Sequence, residues 1–72
     1  MKYVTTTQAL GKTVKEVRKA QGLTQEQLAS VSGIGRRFII DLESGKESCH
    51  LGKTIQILAM LGLELCIQQK ET

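Results

Sequence analysis

The chain has 72 residues, a formal net charge of +3, two cysteines, one histidine and an aromatic content of 3%. That length makes one small domain, which buries only about 60% of the surface its unfolded form exposes, so compact helical packing or association with a second chain must compensate. Cys49, Cys66 and a single His50 cannot supply a four-ligand zinc site at any familiar spacing. One Tyr and one Phe leave no aromatic platform for stacking RNA bases. No apolar run approaches the ~20 residues of a membrane span, and no signal-peptide pattern is present, so a cytoplasmic protein with reduced thiols is expected. The charge is concentrated at the start. Lys2, Lys12, Lys15, Arg18 and Lys19 stand against Glu16 alone, which suits a nucleic-acid partner or a solvated helix face.

Glycines punctuate the chain. Gly22, Gly45 and Gly62 each follow an apolar-periodic stretch, as residues just past a helix end do. The first predicted helix runs from about Thr7 to Gln21. Thr7 is its expected N-cap, and Leu10, Val14 and Val17 are its buried stripe. The second opens at Thr24 and ends near Val31. Thr24 and Gln27 have capping-box spacing, and Leu23 can staple to Leu28. The third runs from about Arg36 to Glu43, with Ile39 and Leu42 inward. The fourth runs from about Leu51 to Leu61, with Leu51, Ile55 and Leu58 on one stripe that Ile57 and Leu61 widen. Leu63 to Gln68 alternates apolar and polar residues except at Cys66, which predicts a short strand. Lys2 to Thr5 also carries strand-favouring residues. The expected organisation is a four- to five-helix domain over residues 1–62 and a C-terminal strand and tail over 63–72.

The second and third predicted helices form a helix-turn-helix. Ala29 is the small residue where the helices cross, and Gly33 supplies a turn residue tolerant of positive φ. Leu28, Ile34, Ile39 and Leu42 fall on the faces that lock the two helices together, and Ser32 is the weakest match. The stretch Gly22-Leu23-Thr24-Gln25-Glu26-Gln27-Leu28-Ala29 resembles the signature of the Xre (lambda-repressor-like) helix-turn-helix family, and residues 33–46 resemble its second half. The likeness covers about residues 8–62. Within that family the chain is most similar to HipB-type antitoxins, in Arg36-Arg37-Phe38-Ile39, in Leu42-Glu43-Ser44-Gly45-Lys46, in Leu61-Gly62-Leu63 and in the C-terminal strand.

The resemblance implies an all-α, lambda-repressor-like DNA-binding domain with a short C-terminal β-strand that pairs with its dyad mate through Leu63, Leu65 and Ile67. It implies a partly buried ion pair between Arg18 and Glu43. It makes the third helix the recognition helix, entering the major groove of double-stranded DNA by its N-terminal end. Arg36 and Arg37 then read guanine or hold phosphate. Gly35 allows close backbone approach, Ile40 on the outward face touches a thymine methyl or is an ordinary surface apolar residue, and Thr24, Gln25 and Lys46 meet the DNA backbone. Phe38 packs at the domain edge. The implied function is a repressor that binds a palindromic operator as a homodimer. It would be the antitoxin and autoregulator of a HipA-like serine/threonine kinase toxin made of one chain or two. The alternatives are a phage-type or restriction-modification controller, or a protein-interaction adaptor that does not bind DNA. No catalytic constellation, metal site or cofactor motif is recognised, so an enzyme is not expected.

Overall fold

A computed structural model describes residues 3–70. Lys2, from the basic run and the first strand-favouring stretch, and the last two residues of the tail lie outside them. Four helices follow in order: α1 (Thr7–Ala20), α2 (Gln25–Ser32), α3 (Arg36–Glu43) and α4 (Leu51–Met60). None is long and apolar enough to cross a membrane.

Three of the four helix starts are set by side-chain caps. α1 begins one residue earlier in capping terms than expected: Thr6, not Thr7, accepts the Ala9 N–H at 3.0 Å. α2 has the full capping box. Thr24 Oγ1 accepts from the Gln27 N–H at 3.0 Å, and Gln27 Oε1 accepts from the Thr24 N–H at 2.8 Å. At α4, His50 Nδ1 accepts from the Lys53 N–H at 3.3 Å. The sole histidine is therefore a cap, which its type does not advertise.

Val14, Leu28, Ile39 and Ile57 are the fully buried centre, one from each helix, and Ile34, Leu42, Leu58 and Leu61 complete the core. Leu23, the predicted staple residue, is partly buried against the core cluster that contains Leu28. Two predicted stripes are rotated. On α1 the buried line is Gly11, Val14 and Arg18, while Leu10 and Val17 are half-buried at its flanks. Gly11 lies on the line because α1 crosses the end of α3 so closely that a methyl there would run into the Leu42 and Glu43 carbonyl oxygens. On α4 the line is Thr54, Ile57, Leu58 and Leu61, whereas Leu51 is 64% and Ile55 42% exposed. Thr54 can be buried because its hydroxyl donates to the His50 carbonyl at 3.0 Å.

The expected C-terminal strand does not form within the chain. Among the described residues no strand is present, and Leu63–Lys70 leaves α4 without regular structure. A strand needs a neighbour for its N–H and C=O groups, and the single chain provides none. Leu63 is half-buried against the chain's own core, while Leu65 is 54% and Ile67 95% exposed. Tyr3 and Val4 are likewise exposed and outside any strand.

Candidate nucleic-acid interface

The turn between α2 and α3 spans three residues. Gly33 closes α2 at φ 71°, a left-handed conformation that strains any residue carrying a Cβ. Ser32, the weakest match to the motif, is used here: its Oγ accepts from the Ile34 N–H at 3.2 Å and donates to the Ala29 carbonyl at 3.3 Å. Ile34 then drops into the core, and Gly35 is the N-cap of α3 with no side-chain cap bond. The first turn of α3 is left open to the outside, with Arg36 and Arg37 both exposed.

The charges of α3 run against its own macrodipole. Its first turn holds two arginines and no acid, and its last turn holds Asp41 and Glu43 and no base. A helix favours the reverse, by about 0.3–1 kcal/mol per charge. Helix stability therefore does not explain Arg36 and Arg37. Cations at an exposed helix start, beside a tight turn, are accessible to an outside anion.

At the other end of α3 lies a polar joint. Arg18 Nε donates to Glu43 Oε2 at 2.6 Å, and Arg18 Nη2 donates to Glu43 Oε1 at 3.0 Å. Arg18 Nη1 donates to the Leu23 carbonyl at 2.7 Å, and Gln25 Nε2 donates to Glu43 Oε1 at 3.1 Å. The two charged side chains are only 6% and 4% exposed. Among the described residues, no buried side-chain polar atom lacks a partner. The hydrogen bonds to Glu43 hold the Arg18 guanidinium above its ordinary pKa, aided by its charge and opposed by burial. The joint ties α1, the α1–α2 turn, the start of α2 and the end of α3 together. Gln25 was expected to direct its side chain at a phosphate; that amide faces inward onto Glu43.

An open cleft of about 540 Å³ adjoins the joint, lined by Lys15, Lys19, Thr24, Gln25, Glu26 and Arg36 among others. Lys15 and Lys19 belong to the basic N-terminal stretch. The structure sets them beside the starts of α2 and α3. The signal was available: Lys12, Lys15 and Lys19 recur at helical spacing on one face. Thr24 and Gly35 stand at the two helix starts as expected. Lys46 follows α3, with its Nζ 3.5 Å from Asp41 Oδ2. Ile40 is half-buried. Phe38 packs against the core, with Lys53 Nζ 5.9 Å from its ring centroid.

Two short helices joined by a glycine turn, the second presenting paired arginines, define a helix-turn-helix DNA-binding unit. The chain belongs to the Xre-like helix-turn-helix family, whose model, described as "Helix-turn-helix", matches residues 14–66. It is thus a DNA-binding transcriptional regulator and not an enzyme. An uncharacterised HTH-type transcriptional regulator, y4mF, of Sinorhizobium fredii is 46% identical over 66 residues, covering 92% of this chain and 87% of that protein. A second such regulator, from Methanothermobacter thermautotrophicus, is 45% identical over 51 residues, covering 71% and 74%. Among solved structures, chains from a HipA–HipB–O2–O3 complex and a HipB–O4 20mer complex superpose with TM-scores of 0.88. Each is 25% identical and covers 99% of this chain and 100% of its own. The likeness to HipB antitoxin structures therefore extends through the tail as well as the helices.

Proposed function

We propose that this chain is a sequence-specific repressor that binds a palindromic operator as a homodimer. In this reading it is the antitoxin and autoregulator of an operon encoding a HipA-like serine/threonine kinase toxin, made of one chain or two. The observation that carries the reading is the superposition on the HipB chain over 99% of the length, tail included.

The site residues take these roles. Arg36 and Arg37 reach base edges or the phosphates beside them, and Ile40 meets a thymine methyl from the flank of α3. Gly35 lets the backbone come close. Gln25 and Glu26 offer their backbone N–H groups to a phosphate at the start of α2, since the capping box uses those of Thr24 and Gln27. Thr24 and Lys46 contribute from the rim. Leu65 and Ile67, exposed in the single chain, seal the dimer by strand pairing with a symmetry mate, and Leu63 anchors each strand to its own core. A two-fold dimer then sets half-sites about 10 bp apart or a multiple of that.

The test is a gel shift with the DNA upstream of the chain's own gene, combined with co-purification of the neighbouring gene product. A salt-sensitive shift and capture of a kinase-like protein are expected. A shift without a kinase-like partner favours the phage-type or restriction-modification controller. No shift at any salt overturns repression.

A further inference from the structure

Asp41 is the one acidic side chain on the presented surface of α3, and its placement is not explained by helix stability. It lies 3.4 Å, through Oδ1, from Arg37 Nε, and 3.5 Å, through Oδ2, from Lys46 Nζ. The Arg37–Asp41 pair is in the i, i+4 order with the cation first, which is the less favourable order on a helix and sets both charges against the macrodipole. A carboxylate near DNA also repels phosphates. Both costs call for a compensating role. The two side chains differ sharply in freedom: Asp41 is only 20% exposed and Arg37 is 84% exposed. The carboxylate is the fixed member, and the arginine is the one it can restrain.

We infer that Asp41 is a positioning residue for base recognition, holding Arg37 by its Nε so that the two Nη groups are presented as a fork to guanine O6 and N7. A free arginine must lose side-chain entropy on each encounter, and it can settle on any phosphate. An arginine engaged at Nε keeps a planar fork aimed along one direction, which raises discrimination more than affinity. By engaging Lys46 with its other oxygen, Asp41 also keeps that cation beside α3, where it balances the carboxylate's own repulsion of the backbone. This inference rests on the DNA reading of Arg37, and the experiment separates the two.

A randomised duplex library is selected with the full-length chain, Arg37→Ala, Asp41→Asn, Asp41→Glu and the Arg37→Ala/Asp41→Asn double variant. Folding of each is checked by thermal unfolding. Arg37→Ala should erase the preference at one base pair, which identifies the position. Asp41→Asn should lower discrimination at that same base pair by about fivefold or more, while affinity for random duplex stays level or rises. Asp41→Glu should recover part of the discrimination, and Asp41→Asn should have no further effect on it in the Arg37→Ala background. A merely structural role would weaken binding to selected and random duplexes equally, and that result would overturn the inference. So would an Asp41→Asn effect that persists without Arg37. If Arg37→Ala leaves every base preference intact, the base-reading role of Arg37 fails and Asp41 fails with it. If only Asp41→Asn is silent, the role of Arg37 stands and that of Asp41 does not.

Discussion

Arg18 on α1 and Glu43 at the end of α3, 25 residues apart in the chain, meet through two nitrogen–oxygen contacts of 2.6 and 3.0 Å in a nearly closed pocket. The pair ties the end of α3 to α1. Two hydrogen bonds from outside the pair, Arg18 to the Leu23 carbonyl and Gln25 to Glu43, bring the start of α2 into the same arrangement.

Removing one partner leaves the other buried and charged. Glu43→Ala or Arg18→Ala should each cost about 3–5 kcal/mol, against much less for a double replacement by apolar residues of similar volume. Urea unfolding of the two single variants and of Arg18→Met/Glu43→Leu measures the difference. The sign of the pH dependence follows from Arg18, whose folded-state pKa is raised. Its contribution is fully present below the unfolded value and is lost only as pH rises through the folded one. The Arg18 contribution to stability should therefore be flat from about pH 6 to pH 9.

Gly11→Ala separates helix propensity from packing. In an isolated α1, alanine would gain roughly 1 kcal/mol over glycine. In the folded chain the added methyl meets the Leu42 and Glu43 carbonyls, which are backbone and cannot swing aside. A net loss of about 1–3 kcal/mol is expected. Thermal unfolding of the variant, with helix content of an α1 peptide as the control, checks both halves.

Arg36 and the two cleft lysines should differ in kind. Arg36→Ala should cost about 1–3 kcal/mol of discrimination if it reads a base. Lys15→Ala and Lys19→Ala should weaken binding evenly across sequences, each lowering the slope of log affinity against log salt by about 1. Salt titrations of selected and unrelated duplexes distinguish the two behaviours.

Deleting residues 64–72 should leave the four helices folded and break the proposed homodimer. Sedimentation before and after truncation reads the oligomeric state, and a gel shift reads operator affinity. A truncated chain that remains a dimer and binds as well as the parent would remove the tail from the proposed interface.

The four helices and the helix-turn-helix were legible because their signals are local. Thr24 and Gln27 are three residues apart, Leu23 and Leu28 five, and Gly33 marks a turn by its own conformational freedom. The register of the buried faces was less legible. Apolar residues nominated Leu10 and Leu51, but the packed lines pass through Gly11, Arg18 and Thr54. Those three are buried for reasons that residue type hides: a close helix crossing, a charge partner in another helix, and a hydroxyl bonded to its own preceding turn.

The cleft shows the same division. Sequence patterning was enough to nominate Arg36 and Arg37 and to establish the class of protein, since α3 begins directly after the glycine turn that the motif marks. The direction of Gln25, inward to Glu43, and the company of Lys15 and Lys19 with Arg36 depend on how α1 crosses the other helices. Alternation in the tail places Leu65 and Ile67 on one face, and both are exposed in the single chain, but pairing partners for a strand are not encoded within the strand. Local hydrogen bonds and periodicity can be read along one dimension. Contacts between residues 18 and 43, or between Gln25 and Glu43, exist only once hydrophobic burial has brought separate helices to one place.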